Sequence, residues 1–145
     1  MTALTKAIGD IAGEMKSIID QWRAELPDNH IAMLEAVNLI EAGYSQWCDA
    51  TWLVAVDNSV ALPRLMARNA FTLDEAQQRI DSQQPWEKRS PASDYVFHNN
   101  SDLATFTDLI DEQISRVLAS FVAGDLQEPS WFSWKRDQEI PDIKQ

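Results

Sequence analysis

The stretch Cys48-Asp49-Ala50-Thr51-Trp52-Leu53-Val54-Ala55-Val56-Asp57 decides how this chain folds. From Ala50 to Val56 the run shows no polar alternation, and it stops at an acid. A strand that is apolar on both sides is buried on both faces, as in a parallel sheet covered by helices. Upstream, Ile31 to Leu34 is a shorter apolar run closed by Glu35, which predicts a second strand. Between the two, Val37 to Ala42 predicts a short helix, with Gly43 in the left-handed conformation that ends it. Pro27, Asp28 and Asn29 predict a turn ahead of the first strand, because proline fixes its own φ and disfavours helix in the residue before it.

Farther out the pattern becomes helical. Leu4, Ile8, Ile11, Met15, Ile18 and Trp22 recur at spacings of four and three, the stripe of an amphipathic helix ending near Leu26. Downstream of Asp57, Ser59 is a cap for a helix over Val60 to Arg68. Thr72 and Glu75 form a capping box, in which hydroxyl and carboxylate satisfy the free N–H groups of a helix start. Pro85 and Pro91 frame a charged loop, Trp86 to Ser93, leading to a short strand at Asp94 to Phe97. Leu103, Phe106, Ile110, Ile114, Val117 and Phe121 then mark one face of a long helix. The order α, β, α, β, α, α, β, α predicts an α/β fold: a small parallel sheet of about three strands flanked by helices. One domain spans 1–123, made of an N-terminal helix (1–26), a core (31–99) that includes the helix 72–83, and a C-terminal helix (101–122). The tail, 124–145, holds Pro129, Trp131, Phe132, Trp134 and Pro141 among charges, without a period.

Twelve Lys and Arg against 23 Asp and Glu give a net charge of −11 over 145 residues. A field of that sign disfavours nucleic acid and anionic membrane as general partners, while leaving room for one compact basic pocket. The apolar runs are too short to span a bilayer, which takes about 20 residues. A single cysteine, Cys48, forms no internal disulfide, and no signal-type apolar core follows a basic stretch, so the expectation is a cytoplasmic protein. Neither His30 nor His98 has partners at metal-ligand spacing, and Cys48 has no activating base, so no metal site and no nucleophile are expected.

Several pieces stand in an order that resembles the carboxy-terminal half of the dephospho-coenzyme A kinases. They are Leu34-Glu35 through Gly43; Cys48-Asp49-Ala50-Thr51-Trp52-Leu53-Val54; Arg64-Leu65-Met66-Ala67-Arg68-Asn69; Glu75-Ala76 with Arg79-Ile80 and Gln83; and Glu87-Lys88, Asp94-Tyr95-Val96 and Asn99. The resemblance covers about half the chain. It implies a partial P-loop-kinase fold, with 72–83 as a lid helix. It also implies nucleotide contacts from Arg64, Arg68, Arg79 and Lys88, an adenine-side loop at Asn99, and ATP or dephospho-coenzyme A as ligand. Phosphoryl transfer is mostly positioning and charge stabilisation, which is why a lid carries such cations. Glu35 and Asp57 would line the cleft, since ligands bind beyond the carboxyl ends of parallel strands. Each has a plainer reading: Arg68 and Arg79 as solvated charges, and Glu35 as a complement to the dipole of the following helix.

The other half of the resemblance is missing from these residues. Ile8-Gly9-Asp10-Ile11-Ala12-Gly13-Glu14 is not Gly-x-x-x-x-Gly-Lys-Ser/Thr, and an acid stands where the phosphate-holding lysine belongs. No catalytic residue is therefore assigned, and the chain alone is expected to be inactive. In the family the P-loop strand lies between the strands matching Ile31–Glu35 and Ala50–Val56. Here the two could pair directly, a partner could fill the slot, or the N-terminal helix and a second copy could cover it. Pro63 also departs from the family and removes a backbone donor beside Arg64. Three functions are consistent with these residues: a non-catalytic binding or interaction protein, a subunit of a split kinase whose P-loop is on another chain, or an adaptor acting through Trp131 to Trp134. The partner expected is a second copy or a P-loop-bearing chain.

Overall fold

A computed structural model describes residues 3–139, with side chains from Ile11 onward. The side chains of Leu4 and Ile8, and Pro141, lie outside the described residues. The elements are α1 (Ala3–Glu25), β1 (Trp52–Ala55), α2 (Asn58–Asn69), α3 (Leu73–Asp81), β2 (Tyr95–His98), α4 (Leu103–Ala123) and α5 (Ser130–Glu139). Short 3-10 turns occupy Tyr44–Trp47, Trp86–Lys88 and Ser90–Ala92. The fold is α/β, with five helices around a small open parallel sheet.

That sheet has two strands, with Trp52 opposite Tyr95 and Ala55 opposite His98. The third expected strand does not form: residues 30–36 carry no regular structure, and Ile31 and Met33 are exposed. A strand exists only through its ladder of backbone partners, and the slot that would link this segment to β1 is empty of any described strand. The expected helix at Val37–Ala42 is instead a run of turns. It is closed by Ala42 N–H to Asn38 O (2.8 Å) and Tyr44 N–H to Leu39 O (3.0 Å). Gly43 does take the left-handed conformation, with φ 85°.

Of the two helix-start signals expected after β1, the one at Ser59 is overturned, because α2 begins at Asn58, and the one at Thr72 holds. The cap of α2 is Asp57 and not Ser59. Pro63 therefore lies inside α2, where it removes the bond its N–H would have made to Ser59. Thr72 caps α3 as the sequence predicts, its hydroxyl accepting from Glu75 N–H at 3.2 Å.

Packing falls into two clusters. On one face of the sheet Trp52, Tyr95 and Phe97 make close ring contacts, and Phe106 of α4 meets Phe97 at 6.3 Å between centroids. At the amino end of the strands, Ile40, Ala92 and Trp131 form a second core with Phe132 and Trp134 against it. Residues 130–139, which have no sequence period, thus form a helix that packs on the rest of the chain. Asp94 joins the two clusters by accepting from Thr51 N–H (2.7 Å) and Ser130 N–H (2.8 Å).

α1 is turned relative to its predicted stripe. Ile19 is buried and Ile11 and Ile18 are exposed, so the inward line runs through Ala12, Met15, Ile19 and Trp22. Arg23 fixes the end of the helix, donating to Asp49 (3.0 Å) and to the carbonyl of Trp47 (2.6 Å).

Candidate nucleotide-side site

The carboxyl end of the sheet is built from two loops that brace each other. Beyond β2, Asn99 N–H donates to Ala55 O at 2.7 Å, extending the ladder past the last strand residue. Asn100 Oδ1 then accepts from Asp57 N–H at 2.8 Å. Arg64, one and a half turns into α2, closes the arrangement: its guanidinium donates to the carbonyls of Asn99 (2.6 Å) and Ser101 (2.9 Å). Asp102 follows as the cap of α4, accepting from Thr105 N–H at 2.8 Å. That bond holds the Asp102 carboxyl below its ordinary pKa.

Asp57 occupies a special position in this corner. Its carbonyl accepts from Val60 and Ala61 N–H, both at 2.9 Å, but its carboxylate makes no capping bond. A carboxylate there rests at the positive end of the α2 dipole.

Three of the sequence-predicted residues, Asp57, Arg64 and Asn99, are thus brought together. Arg68 is a turn farther along α2 and bonds only its neighbour, Nε to Asn69 Oδ1 at 2.8 Å. Arg79 on α3 lies over the Phe71 ring, 5.7 Å from its centre, in a shallow recess with Glu75 and Gln78. Lys88 is exposed in the 3-10 turn 86–88. Glu35 is exposed in an irregular segment and ends no strand, so the geometry that would have set it at the cleft is absent. Asn100 and Ser101 were missed. The run Asn99-Asn100-Ser101-Asp102, short polar residues between strand and helix, is the composition that turns and caps favour and could have flagged them.

Charge separates these cations from the rest. Lys16, Arg23, Arg89, Arg116, Lys135 and Arg136 are each ion-paired to a carboxylate. Among the residues whose side chains are described, the Lys and Arg without such a pair are Arg64, Arg68, Arg79 and Lys88. Three of these, Arg64, Arg68 and Arg79, lie on α2 and α3, which also carry Asp74, Glu75 and Asp81, and Lys88 is in the 3-10 turn that follows.

Cys48 is partly buried, its thiol 3.6 Å from the carbonyl of Tyr44, and burial, followed by the Asp49 charge, raises its pKa. Among the described residues no group of three His, Cys, Asp or Glu side chains is placed to hold a metal ion.

A small open parallel sheet, a braced loop at its carboxyl end and a capped helix pair carrying cations define a partial kinase fold. The sequence comparisons name the class more closely. Residues 9–105 match the model of the dephospho-CoA kinase family, and the chain belongs to that family. The dephospho-CoA kinase of Streptococcus pyogenes serotype M3 (strain ATCC BAA-595 / MGAS315) is 43% identical over 83 residues, 53% of this chain and 42% of that protein. The Streptococcus mutans serotype c enzyme is 30% identical over 112 residues, 73% of this chain and 57% of the other. The Streptococcus agalactiae serotype III enzyme is 38% identical over 79 residues, covering 54% and 40%. The chain spans about half the length of the curated relatives it matches. No solved structure gives a significant match.

Proposed function

We propose that the 145 residues form a nucleotide-side binding unit that holds an anionic ligand of the ATP, dephospho-coenzyme A or coenzyme A type without transferring phosphate. The observation that supports this reading is the set of cations without an ion-pair partner, Arg64, Arg68 and Arg79 on α2 and α3 and Lys88 in the turn 86–88, the first of which braces the Asn99 loop. A phosphate chain would give these side chains the ion pairs they lack. No P-loop lies within these residues, so the attacking oxygen and the transferred phosphoryl group have no cradle. Isothermal titration with ATP, dephospho-coenzyme A and coenzyme A tests the reading. Heat with at least one ligand, reduced in Arg68→Glu, is the expected result, and no heat with any of them rejects it.

A second reading has one observation in its favour. Among the described residues β1 has a strand neighbour, β2, on one side only, so a P-loop-bearing chain supplied from outside these residues could complete a split kinase there. A P-loop protein that co-purifies from the native source and turns dephospho-coenzyme A into coenzyme A only when both chains are present would favour it. Activity of the partner alone would end it. An adaptor role for Trp131 to Trp134 has less to support it, because Trp131 is already packed against Ile40 and Ala92.

A further inference from the structure

α1 carries more apolar surface than its packing uses. Ile11, Met15, Ile18 and Trp22 follow one another at spacings of four, three and four, and in the sequence Ile8 and Leu4 continue the alternation. That is a strict 3.5-residue repeat, the seam of a coiled coil. The line packed against the rest of the chain is a different one, offset to one side: Ala12, Met15 and Trp22 are half-buried and Ile19 is buried. Ile11 and Ile18 are left 53% and 42% exposed. In heptad terms Met15 and Trp22 are a positions, Ile11 and Ile18 are d positions, and Ala12 and Ile19 are e positions. The e line serves the fold, and the a/d seam looks outward.

The helix is also thinly held. Its 23 residues run for about 34 Å. Among the described residues they meet the rest of the chain mainly at the turn Tyr44–Trp47, beside which Arg23 is bonded to Trp47 O and Asp49. A helix draws most of its stability from the faces it packs, and an open a/d seam fits another helix of the same repeat, whose side chains enter the holes between its own.

The positions beside the seam decide which helix that is. Charges at e and g set partner choice in coiled coils. Here those places hold Ala12, Glu14, Ile19 and Gln21. With one charge among four, the seam carries no code for an oppositely charged chain, and it is self-complementary, as the symmetric contact of two like subunits requires. The same positions set the direction. In an antiparallel pair the two e lines would lie side by side, and the bodies of the two chains with them. In a parallel pair each e line flanks a g line, which sets the bodies on opposite sides and places Glu14 beside an isoleucine rather than an acid.

We propose that the outward seam of α1 is a dimerisation surface whose partner is a second copy of this chain, the two helices lying parallel and meeting through Ile11, Met15, Ile18 and Trp22. The pairing is independent of nucleotide binding, and either can fail without the other.

Sedimentation equilibrium of the full chain tests it. A dimer is expected. Ile11→Lys combined with Ile18→Lys, at side chains that already meet solvent, should retain the fold by circular dichroism and raise the dissociation constant at least about a hundredfold. Direction is read by mild oxidation in a Cys48→Ser background. Ile18→Cys, on the seam, should cross-link the two copies, while Ser17→Cys, on the far side of the helix, should not. The cross-linking keeps the test decisive if the paired lysines disturb α1. A parent that stays monomeric at its highest soluble concentration overturns the proposal, as does a dimer unaltered by the two lysines. A dimer that Ser17→Cys links as readily as Ile18→Cys, or that neither links, overturns the parallel seam.

Discussion

The indole N–H of Trp131 donates to the backbone carbonyl of Ile40 at 3.0 Å, across 91 residues of chain. The bond is buried, and it ties α5 to the turn that precedes β1. Trp131→Phe keeps most of the apolar area but leaves that carbonyl without its donor, a loss of about 1–3 kcal/mol. Trp131→Ala also opens a cavity and should lose about 3–5 kcal/mol. Urea unfolding of the three proteins checks the order. If the alanine variant unfolds like the parent, α5 is not part of the core.

Arg64 holds the Asn99–Asp102 loop through two carbonyls at once, a fork that lysine cannot reproduce. Arg64→Ala should raise hydrogen exchange at Asn99 to Ser101 while lowering global stability by no more than about 1 kcal/mol, because the contact is exposed. Arg64→Lys should recover only part of the protection. Protection unchanged in both variants would mean that the backbone bonds of Asn99 and Asp57 suffice to hold the corner.

What could be read in the sequence was what local chemistry determines. Gly43 ends its turn because a positive φ suits glycine, Thr72 caps α3 because a hydroxyl reaches the third N–H, and β1 and β2 lie within two residues of their apolar runs. Ile31–Leu34 was misread because an apolar run gives the potential for a strand, while a strand also needs a neighbour, which no local pattern reports. The stripe of α1 was read one residue off, at Ile18 where Ile19 is buried, because the sequence fixes an apolar face only to within about a hundred degrees. Residues 130–139 gave no period because α5 is held by Trp131 and by Asp94 to Ser130 N–H, contacts made at long range. For the candidate site, the cations were legible through family resemblance alone. Their lack of acid partners, and the brace through Asn100, depend on tertiary placement.

Cys48 should be a slow thiol. Burial, and then the negative charge of Asp49, raise its pKa, while Arg23 opposes them. Fewer thiolates at neutral pH mean slower alkylation than for an unhindered cysteine. Because the folded protein holds the proton more tightly than the unfolded chain, the associated stability is full below the unfolded thiol pKa and is lost as pH rises toward the folded value. Iodoacetamide labelling against pH, in native protein and in urea, measures both. A native rate equal to the denatured one would contradict the buried thiol.

Asp102 acts at the opposite end of the pH scale. As the cap of α4 it accepts from Thr105 N–H, and that backbone bond, followed by the Thr105 hydroxyl, lowers its pKa. A lowered folded pKa means that the charged form is the one that supports the fold. The contribution is complete above the unfolded carboxyl value and disappears as pH falls through the folded one. Asparagine caps helices nearly as well as aspartate but does not titrate, and alanine cannot cap. Asp102→Asn should therefore stay near the parent at neutral pH and lose less stability in acid, while Asp102→Ala should be lower throughout. Thermal unfolding from neutral to acid pH distinguishes them. Parent and Asp102→Asn falling in parallel would assign the acid loss to other carboxylates and leave Asp102 a cap whose charge is incidental.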